Sequence, residues 1–503
     1  MAEKEIELKL TIRPEDVDRF RREPVLHASK RGRARSKQLL AVYFDTKALS
    51  LRKKRVALRI RQEGAQRIQT VKASLGGAGL LRRLEYNAPI TGDSPDLSLI
   101  EDKDARSEIA GIIGRKKLQP VFTTDIRRTI WLIDHEDSTI EVALDLGKIF
   151  SNGNSVDVCE VELELKGGPS LGLLNFACEL AQRYRLRVSE ESKAVRGYGL
   201  YEGAKSKPRK AKPPALNPDA DAWVSFARIV EEGSAQLFGN EAAVLDGTDI
   251  EGVHQARVAV RRLRAALSAF SGVVPEDIRK PAGKELRWVQ NALGPARDWD
   301  VFITETLEPL LTRKGAPAAL QKFLHRAERA RHLAYRRAHK IVRGARYGRL
   351  QIRLIRMPYL PEPESVRGLT TRSVASRLLQ ERYDTVLAAA GESPAQLAET
   401  YLHMLRIDIK KLRYAIEFFD SIYDKESTKE WLSATKRLQD CLGGLNDAVV
   451  HAAMIDAMEA PDLPVPKSVR AVITAHNAAK IESGLTDLQD AWTGFSNLPI
   501  YWR

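Results

Sequence analysis

The sequence predicts an α+β multidomain protein in which a β domain precedes an all-helical domain. Apolar and polar residues alternate with a period of two in many short stretches of residues 1–203, which is typical of β-strands. In residues 218–495 the period changes to 3.6, which is typical of helices. Between them, residues 204–217 are rich in Pro and Lys and have little to bury, so we expect a basic, solvated linker there.

The charge of the chain points to a polyanionic partner. The 503 residues carry a net charge of +15, and the isoelectric point is about 9.6. Residues 322–356 alone hold twelve Lys or Arg and a single acid, Glu328. Nucleic acids, nucleotides, inorganic phosphates and membrane surfaces all attract such a basic surface.

Cysteine content and hydropathy predict the cellular setting. The three cysteines, Cys159, Cys178 and Cys441, are too far apart to suggest a disulfide framework or a thiolate zinc site. No apolar run approaches the ~18 residues of a spanning helix, and the first residues do not resemble a signal peptide. These features predict a cytoplasmic protein without a membrane partner.

Charged residues alternate with apolar residues in the predicted strands of the N-terminal domain. Glu5, Glu7 and Lys9 would point to one face of a strand, and Ile6 and Leu8 to the other. One such strand is explained by charges in water, but the pattern recurs, which favours a closed barrel with a charged lumen. The recurring charged residues are Arg59, Arg61, Lys72, Asp145, Glu160, Glu162, Glu164 and Lys166.

A lumen lined by acids and bases suits metal-assisted phosphoryl transfer to water. Clustered carboxylates repel one another unless a cation compensates them, and oxygen ligands favour Mg²⁺ or Mn²⁺ over zinc. Lys and Arg would hold the phosphoryl oxygens. The chain has no Gly-x4-Gly-Lys-[Ser/Thr] and no Gly-x-Ser-x-Gly, so neither a P-loop nor a nucleophile elbow is predicted.

An ordered set of motifs in residues 1–203 resembles the CYTH domain, the family of triphosphate tunnel metalloenzymes. The Glu5-x-Glu7-x-Lys9 motif resembles the family's ExExK signature, and further motifs follow in the family's order. They include Tyr43-Phe-Asp-Thr, Arg59-Ile-Arg61, Val71-Lys72, Arg128-Thr-Ile-Trp131, Asp145-x-Gly147, the Glu160–Glu164 strand and Ser192-Lys193. The resemblance implies an eight-stranded antiparallel β tunnel that binds a triphosphate and a divalent metal.

The resemblance also implies a role for each matching residue. The implied metal ligands, for Mg²⁺ or Mn²⁺, are Glu5, Glu7, Asp145, Glu160, Glu162 and Glu164, with the choice between Glu160/Glu162 and Glu162/Glu164 left open. The implied catalytic cations are Lys9 and Lys72, and the implied substrate-binding residues are Arg59, Arg61, Arg128 and Lys193. Alternation alone does not decide whether Arg127 or Arg128 faces inward, or whether Glu85 lines the tunnel.

The helical domain contains an internal repeat, about residues 250–300 and 399–449. A motif that begins at His254 recurs at His403, and a Gln-x-x-Leu-Gly segment recurs with its glycine at Gly294 and Gly443. The same offset joins Asp298 to Asp447, so the register holds over about 45 residues without a gap. Duplicated helical halves are therefore predicted.

Each repeat places four basic residues on one helical face. Their spacing of three, four and three residues stacks them over three turns. Such like charges destabilise a helix unless something compensates them, which suggests a bound anion, although a solvated face or salt bridges to Asp298 and Asp447 would also explain them. The residues are His254, Arg257, Arg261 and Arg264 in the first repeat and His403, Arg406, Lys410 and Arg413 in the second. His325, His332 and His339 lie on the basic helix and either extend this surface or recur by accident.

These repeats resemble the CHAD domain, over about residues 218–495. The resemblance implies an all-helical fold of two pseudo-symmetric four-helix bundles that binds inorganic polyphosphate through the eight residues just named. One departure is Lys410-Lys411, where the first repeat has Arg261-Arg262. Because lysine lacks the bidentate fork of arginine, the second half is expected to bind less selectively.

The combined prediction is a metal-dependent inorganic triphosphatase with a polyphosphate-binding helical domain. One alternative keeps the tunnel but changes the substrate to thiamine triphosphate or a nucleoside triphosphate, hydrolysed or cyclised. Another is a polyphosphate-binding scaffold without catalysis. Nucleic acid is a less favoured partner, because the basic rows lack interleaved aromatic residues.

Overall fold

The computed structural model describes residues 6–28, 33–75, 82–189, 191–203, 206–460 and 462–503. Contacts divide the chain into two compact units, Met1–Ser206 and Lys207–Arg503. The first unit is built around an antiparallel sheet and the second is helical, so the α+β fold class is confirmed. Within the described residues, no helix is both long and apolar enough to cross a membrane.

One antiparallel sheet forms the centre of the first unit. In the described part of the chain its strands are β1 (Glu7–Thr11), β2 (Arg35–Thr46), β3 (Val56–Glu63), β4 (Gln66–Leu75), β5 (Arg82–Pro89), β6 (Leu118–His135), β7 (Ser138–Ser151), β8 (Asn154–Gly167) and β9 (Arg187–Val188). Their order across the sheet is β5-β4-β3-β2-β6-β7-β8-β1-β9. The helices of this unit are α1 (Val17–Arg21), α2 (Pro24–Ala28), α3 (Ser50–Lys53), α4 (Lys103–Ile113), α5 (Ser170–Arg183) and α6 (Lys193–Glu202).

The sheet differs from the predicted closed barrel of eight strands in the number of its strands and in its closure. A ninth strand, β9, pairs with β1 at only two positions. Among the described residues β5 and β9 are the outer strands and are not paired with each other, so hydrogen bonds do not close the sheet. Strand β9 has only two residues, so it could not pair along the whole of the eight-residue strand β5.

Apolar residues cover one face of the sheet and leave the other to the charged residues. Leu10, Val161 and Leu163 are fully buried, and they alternate with charged residues of β1 and β8. Helix α5 packs against β6, β7 and β8. Burial of this face fixes the register of each strand, because a slip by one residue would expose its apolar set. The alternation thereby assigns the acids and bases to the opposite face.

Helices form all the regular structure of the second unit that the described residues show. Its first half contains α7 (Ala222–Phe238), α8 (Glu241–Asp246), α9 (Ile250–Ala269), α10 (Glu276–Val301), α11 (Glu308–Leu311), α12 (Ala318–Val342) and α13 (Ala345–Arg356), with a π-helical segment at Phe302–Leu307. Its second half contains α14 (Thr371–Ala390), α15 (Glu399–Phe419), α16 (Lys425–Cys441), α17 (Gly443–Asp456) and α18 (Lys467–Ser496).

The duplication extends beyond the motifs from which it was predicted. Four helices of the second half, α14, α15, α16 and α18, begin 149 residues after α7, α9, α10 and α12 respectively. The halves differ at several places. The long helix α10 corresponds to the two helices α16 and α17, and α8, α11 and α13 have no α-helical counterpart among the described residues of the second half. The break falls at Leu442, directly before Gly443, whereas Gly294, the counterpart of Gly443, lies inside α10. One core of buried apolar residues runs through both halves.

Part of the predicted linker packs on the helical unit. The side chain of Asn240 accepts a hydrogen bond from the backbone N–H of Arg209 and donates one to its carbonyl oxygen, at 2.9 and 2.8 Å. The hydroxyl of Ser421 donates to the carbonyl oxygen of Pro214, which is buried. Residues 207–217 are therefore not a free tether, since polar side chains of the helices satisfy their backbone groups.

Candidate active site and cationic cluster

Strand register brings the charged residues of the first unit to one face of the sheet. Directly opposed residues of antiparallel strands point to the same side. Lys9 lies opposite Glu162, Asp145 lies opposite both Glu160 and Arg128, and the register continues across β3, β4 and β5. The residues on this face, here called the charged face, are Glu7, Lys9, Arg59, Arg61, Lys72, Glu85, Arg128, Asp145, Glu160, Glu162 and Glu164. Glu5 lies outside the described residues.

A single ammonium group joins three of the predicted metal ligands. The Nζ of Lys193 lies 2.7 Å from Asp145 Oδ2, 3.0 Å from Glu160 Oε2 and 2.8 Å from Glu162 Oε1. Arg128 donates to both oxygens of Asp145, at 2.7 and 2.6 Å, and also to Glu162. The carboxylates are therefore held by fixed cations in a bidentate and branched network.

The network sets the protonation states of its members. Burial alone would raise the pKa of Glu162, but Lys193, Arg128 and Lys9 lower it well below the usual range. Burial would lower the pKa of Lys193, but Glu162, Asp145 and Glu160 raise it above its ordinary value. Both groups are therefore charged at neutral pH, and each stabilises the charge of the other.

Glu7 is the described carboxylate best suited to an added cation. Burial and the neighbouring charge of Glu162 raise the pKa of Glu7, while Lys9, whose Nζ lies 3.4 Å away, lowers it. The Nζ of Lys9 also lies 3.6 Å from Glu162. A divalent cation between Glu7 and Glu162 would relieve their repulsion, and their oxygen atoms fit a hard ion such as Mg²⁺ or Mn²⁺.

The other predicted metal ligands that the structure describes are paired with basic side chains. Asp145 and Glu160 are fully buried, and their oxygens are already bonded to Lys193, Arg128 and a further arginine. Glu164 lies 2.5 Å from the Nζ of Lys166. In the described ranges no three His, Cys, Asp or Glu residues are grouped as a metal site. Glu162 is paired in the same way with Lys193 and Arg128, so these ion pairs do not decide between the predicted ligands, and the metal-ligand roles of Asp145, Glu160 and Glu164 stay predictions.

Two of the four residues predicted to bind the substrate, Arg59 and Arg61, lie on strand β3, whereas Arg128 and Lys193 belong to the carboxylate network. Arg59 donates to the hydroxyl of Tyr43 at 3.1 Å, and Arg61 lies 2.5 Å from Glu63. The Nε atoms of Arg59 and Arg61 are buried and have no hydrogen-bond partner among the described residues. Burial, followed by the charges of Arg59 and Arg128, lowers the pKa of Arg61. Buried donors without acceptors are a costly arrangement that a bound anion would satisfy.

The structure settles two choices that alternation left open. Arg128 faces the carboxylates, and Arg127 is exposed. Glu85 lies on the charged face, 2.6 Å from the Nζ of Lys72. Burial would raise the pKa of Glu85, but its hydrogen bond and charge interaction with Lys72 lower it. Lys72 is thereby ion-paired.

Arg196 is a member of the network that the sequence did not reveal. Its Nη2 lies 2.5 Å from Glu160, and it shares helix α6 with Lys193. Helix α6 approaches the sheet closely at Gly197, where a Cβ atom would overlap the ring of Phe122. The spacing of three residues between Lys193 and Arg196 would have placed both on one helical face, which was the available signal.

The second unit brings its two basic rows together. Helices α9 and α15 pack against each other. Arg261 of α9 lies close enough to lower the pKa values of both Arg406 and Lys410 of α15, where burial is the largest cause of each shift. The Nε atoms of Arg261 and Arg406 are buried, and within the described ranges they have no hydrogen-bond partner. These rows form one group, here called the cationic cluster, which comprises His254, Arg257, Arg261, Arg264, His403, Arg406, Lys410 and Arg413.

Lys410 shows the strength of the repulsion in the cationic cluster. Burial and then the charges of Arg406, Arg261 and Arg413 lower the pKa of Lys410 to about 7, although Asp447 opposes the shift. Burial also lowers the pKa of Arg257. Asp298 opposes this shift and Arg261 adds to it, and the pKa stays below its ordinary value.

Equal spacing in the two repeats produces matching contacts at the edge of the cationic cluster. Arg264 donates to Gln290 at 2.5 Å, and Arg413 donates to Gln439 at 3.1 Å. These two contacts are equivalent under the offset of 149 residues. The glutamine amides hold the last arginine of each row in place, and they carry no charge that would neutralise it. The sequence motif contained both glutamines but gave no indication of this contact.

The histidines occupy different environments. His254 is partly buried, and burial together with Arg297 lowers its pKa, whereas His403 is exposed. His325 and His332 are exposed on α12, but the Nε2 of His339 lies 2.9 Å from the carbonyl oxygen of Val244. The heptad of histidines therefore does not form one surface, because His339 turns towards α8.

Comparison with known proteins agrees with this architecture. Residues 3–198 match the CYTH domain family, and residues 228–456 match the CHAD domain family. The chain therefore contains a CYTH domain followed by a CHAD domain.

Among individual proteins, the chain is 32% identical over 202 residues to an inorganic triphosphatase from Haemophilus influenzae, and the match covers 39% of this chain. The chain spans only about half, 52%, of that relative. A crystal structure of a CHAD domain from the plant Ricinus communis is 28% identical, with a TM-score of 0.49, and the match covers 58% of this chain and 98% of that one. The structure of a Bacillus halodurans protein is 22% identical, with a TM-score of 0.28, over 39% of this chain and 96% of that one.

Proposed function

We propose that the first unit hydrolyses a triphosphate, with inorganic tripolyphosphate as the substrate, and that the second unit binds inorganic polyphosphate. The observation that carries the catalytic part is the charged face, where Arg59 and Arg61, whose buried Nε atoms have no hydrogen-bond partner among the described residues, lie on the same sheet face as Glu7 and Glu162. The name of the Haemophilus influenzae relative supports the choice of an inorganic substrate.

The residues of the charged face have different roles in the proposed phosphoanhydride hydrolysis. Arg59, Arg61 and Lys72 would bind the phosphoryl oxygens, since donors fixed in advance stabilise the charge that develops in the transition state. Lys193 and Arg128 hold the inner carboxylates in place. Because these cations are paired before substrate binds, the site needs little rearrangement to accept a chain of phosphates.

A divalent ion, Mg²⁺ or Mn²⁺, fits this proposal. Glu7 and Glu162 would hold it, and the resemblance of the Glu5-x-Glu7 motif to the CYTH signature makes Glu5, which lies outside the described residues, the proposed third ligand. When bound, such an ion neutralises phosphate charge and lowers the pKa of a coordinated water.

The cationic cluster supports polyphosphate binding by the second unit. It joins rows from both halves, and it leaves the Nε donors of Arg261 and Arg406 without acceptors. Phosphate oxygens accept hydrogen bonds from guanidinium groups in a bidentate geometry, so a polyphosphate chain would satisfy these donors and offset the repulsion around Lys410.

A pair of variants tests both parts. Glu7→Gln keeps the shape of the side chain but removes its charge, and it should lower kcat for tripolyphosphate with Mg²⁺ or Mn²⁺ by about 100-fold or more. Arg261→Ala with Lys410→Ala should instead weaken polyphosphate binding and leave tripolyphosphate turnover nearly unchanged. The control is Glu108→Gln, an exposed carboxylate on α4.

The outcomes separate the alternatives. If no triphosphate is turned over while polyphosphate still binds, the protein is a scaffold and the catalytic proposal is wrong. Faster hydrolysis of thiamine triphosphate or a nucleoside triphosphate than of tripolyphosphate would replace the proposed substrate. Equal loss of both activities in the Arg261/Lys410 double variant would contradict the division of labour between the units.

A further inference from the structure

Helix α12 carries a continuous cationic stripe that the proposed function does not use. Positions spaced by three or four residues lie on one side of a helix, within an arc of roughly 100°. Seven basic residues occupy such positions on α12 and at its C-terminal cap, and all seven are exposed. Their separation of 21 residues corresponds to about 32 Å along the helix axis. The stripe consists of Lys322, His325, Arg329, His332, Arg336, Lys340 and Arg343.

The stripe has no internal compensation. Among the ion pairs and side-chain hydrogen bonds of the described residues, none involves any of its seven members. Stacked like charges destabilise a helix, so the stripe does not help α12 to form. The fold is secured by the opposite side of the helix. The buried residues on that side are Leu320, Phe323, Leu324, Ala327, Ala334, Tyr335, Ala338 and Val342.

Neighbouring basic residues on α12 show what an ordinary structural arginine does in this fold. Arg331 donates to the buried carboxylate of Asp300 at 2.7 Å, and Arg326 donates to the carbonyl oxygens of Met458 and Leu463. These arginines point away from the stripe and have partners. The stripe residues differ because their side chains are exposed and bind no acid or carbonyl oxygen within the part of the chain that the structure describes.

The stripe and the cationic cluster are separate surfaces. The stripe lies on α12 and its C-terminal cap, whereas the cationic cluster lies on α9 and α15. The cluster is partly buried between α9 and α15, so it can contact only a short length of a polymer. The stripe is straight and exposed over about six helical turns. A long, flexible polyanion with closely spaced charges matches such a surface better than a compact anion does.

We propose that the cationic stripe of α12 is a second binding surface for long inorganic polyphosphate, which adds affinity for long chains beyond what the cationic cluster provides. The inference rests on the proposed polyphosphate binding of this unit. Polyphosphate is favoured over single-stranded nucleic acid because the stripe presents no aromatic residue on which a base could stack.

Neutral substitutions on the stripe test the inference in the full chain. Arg329→Gln, Arg336→Gln and Lys340→Gln remove three charges and keep good helix formers at exposed positions. A matched control removes three charges elsewhere on the same unit, by Lys280→Gln, Lys429→Gln and Lys467→Gln, all of which are exposed. Binding of tripolyphosphate, of a polyphosphate several hundred phosphates long and of duplex DNA is measured as a function of salt.

The stripe variant should bind the long chain at least about tenfold more weakly at physiological salt, and its log–log salt slope should fall by about three. Its affinity for tripolyphosphate and the long-chain affinity of the control should both stay within about twofold of the parent. Unchanged long-chain affinity, or an equal loss in the control, would overturn the inference. A larger loss for DNA than for polyphosphate would make the stripe a nucleic-acid surface instead.

The proposed function fails in a different way. In that case the Arg261→Ala/Lys410→Ala variant would bind tripolyphosphate and long chains as the parent does. If the parent protein bound no polyphosphate of any length, the stripe inference would fall together with the polyphosphate proposal, whereas triphosphate hydrolysis by the first unit would be unaffected.

Discussion

Polyphosphate binding should take up a proton at Lys410, and this gives the sharpest test of the cationic cluster. Burial and then the charges of Arg406, Arg261 and Arg413 lower the pKa of Lys410 from 10.5 to about 7 in the free protein. A bound phosphate chain replaces repulsion by attraction, so the pKa of Lys410 in the complex should return towards its ordinary value. Binding and protonation are therefore linked.

The sign and size of the pH dependence follow from the two pKa values. Below about pH 7 Lys410 is protonated with or without ligand, so affinity is independent of this group. Above about pH 7 the free protein must bind a proton before the complex forms, and affinity falls by up to tenfold per pH unit until the pKa of the complex is reached. From about pH 6 to about pH 9 the expected loss is about 100-fold for a short polyphosphate.

Calorimetry in two buffers with different ionisation enthalpies measures the protons directly. At about pH 8 the protein should take up nearly one proton per short chain bound, and histidine contributes little there because its ordinary pKa is about 6.5. Lys410→Arg keeps the charge at every pH and should abolish most of the uptake. If the Arg variant shows the same pH dependence as the parent, then another group takes up the proton and the linkage to Lys410 is wrong.

Two further predictions concern stability and the position of helix α6. Gly197→Ala should place a Cβ atom against the ring of Phe122. This overlap should destabilise the first unit by about 1–3 kcal/mol in thermal unfolding and lower triphosphate turnover. The control is Gly199→Ala, whose new Cβ has no heavy atom within 4 Å and which should be neutral or stabilising. Glu417→Gln removes a charge that lies 3.1 Å from Arg262 and 3.2 Å from Arg413, and it should lower stability in urea by about 2 kcal/mol. A loss below about 0.5 kcal/mol, as expected for an exposed pair, would contradict the second prediction.

Alternation and repetition predicted the parts of the site that depend on a single strand or helix. The period of two in Glu7, Lys9 and Glu162 sufficed to place them on one face, because the apolar partners at the intervening positions can be buried on only one side. The offset of 149 residues between His254 and His403 likewise predicted two equivalent helices, and α9 and α15 keep that offset.

Contacts that depend on packing between elements could not be read in the same way. The pairing of Arg196 with Glu160 arises only because α6 settles against the sheet at Gly197, and no local pattern encodes that approach. The ion pairs of Asp145 also follow from the placement of Lys193. A carboxylate in a strand sequence looks the same whether a metal or an ammonium group will neutralise it, so the sequence could not reveal the ion pair between Asp145 and Lys193.

The two halves of the helical unit carry the same motif but do not offer the same charges to an anion. In the first half, Arg257 lies 3.8 Å from Asp298. In the second half, Asp447, the counterpart of Asp298, binds the Nζ of Lys480 at 2.8 Å, and Arg406 has no acidic partner at ion-pair distance among the described residues. An anion must therefore displace a carboxylate from Arg257 but finds Arg406 free of one. Substitution of Lys for Arg at position 410 thus does not by itself make the second half the weaker binder, because the local pairing of acids opposes that effect.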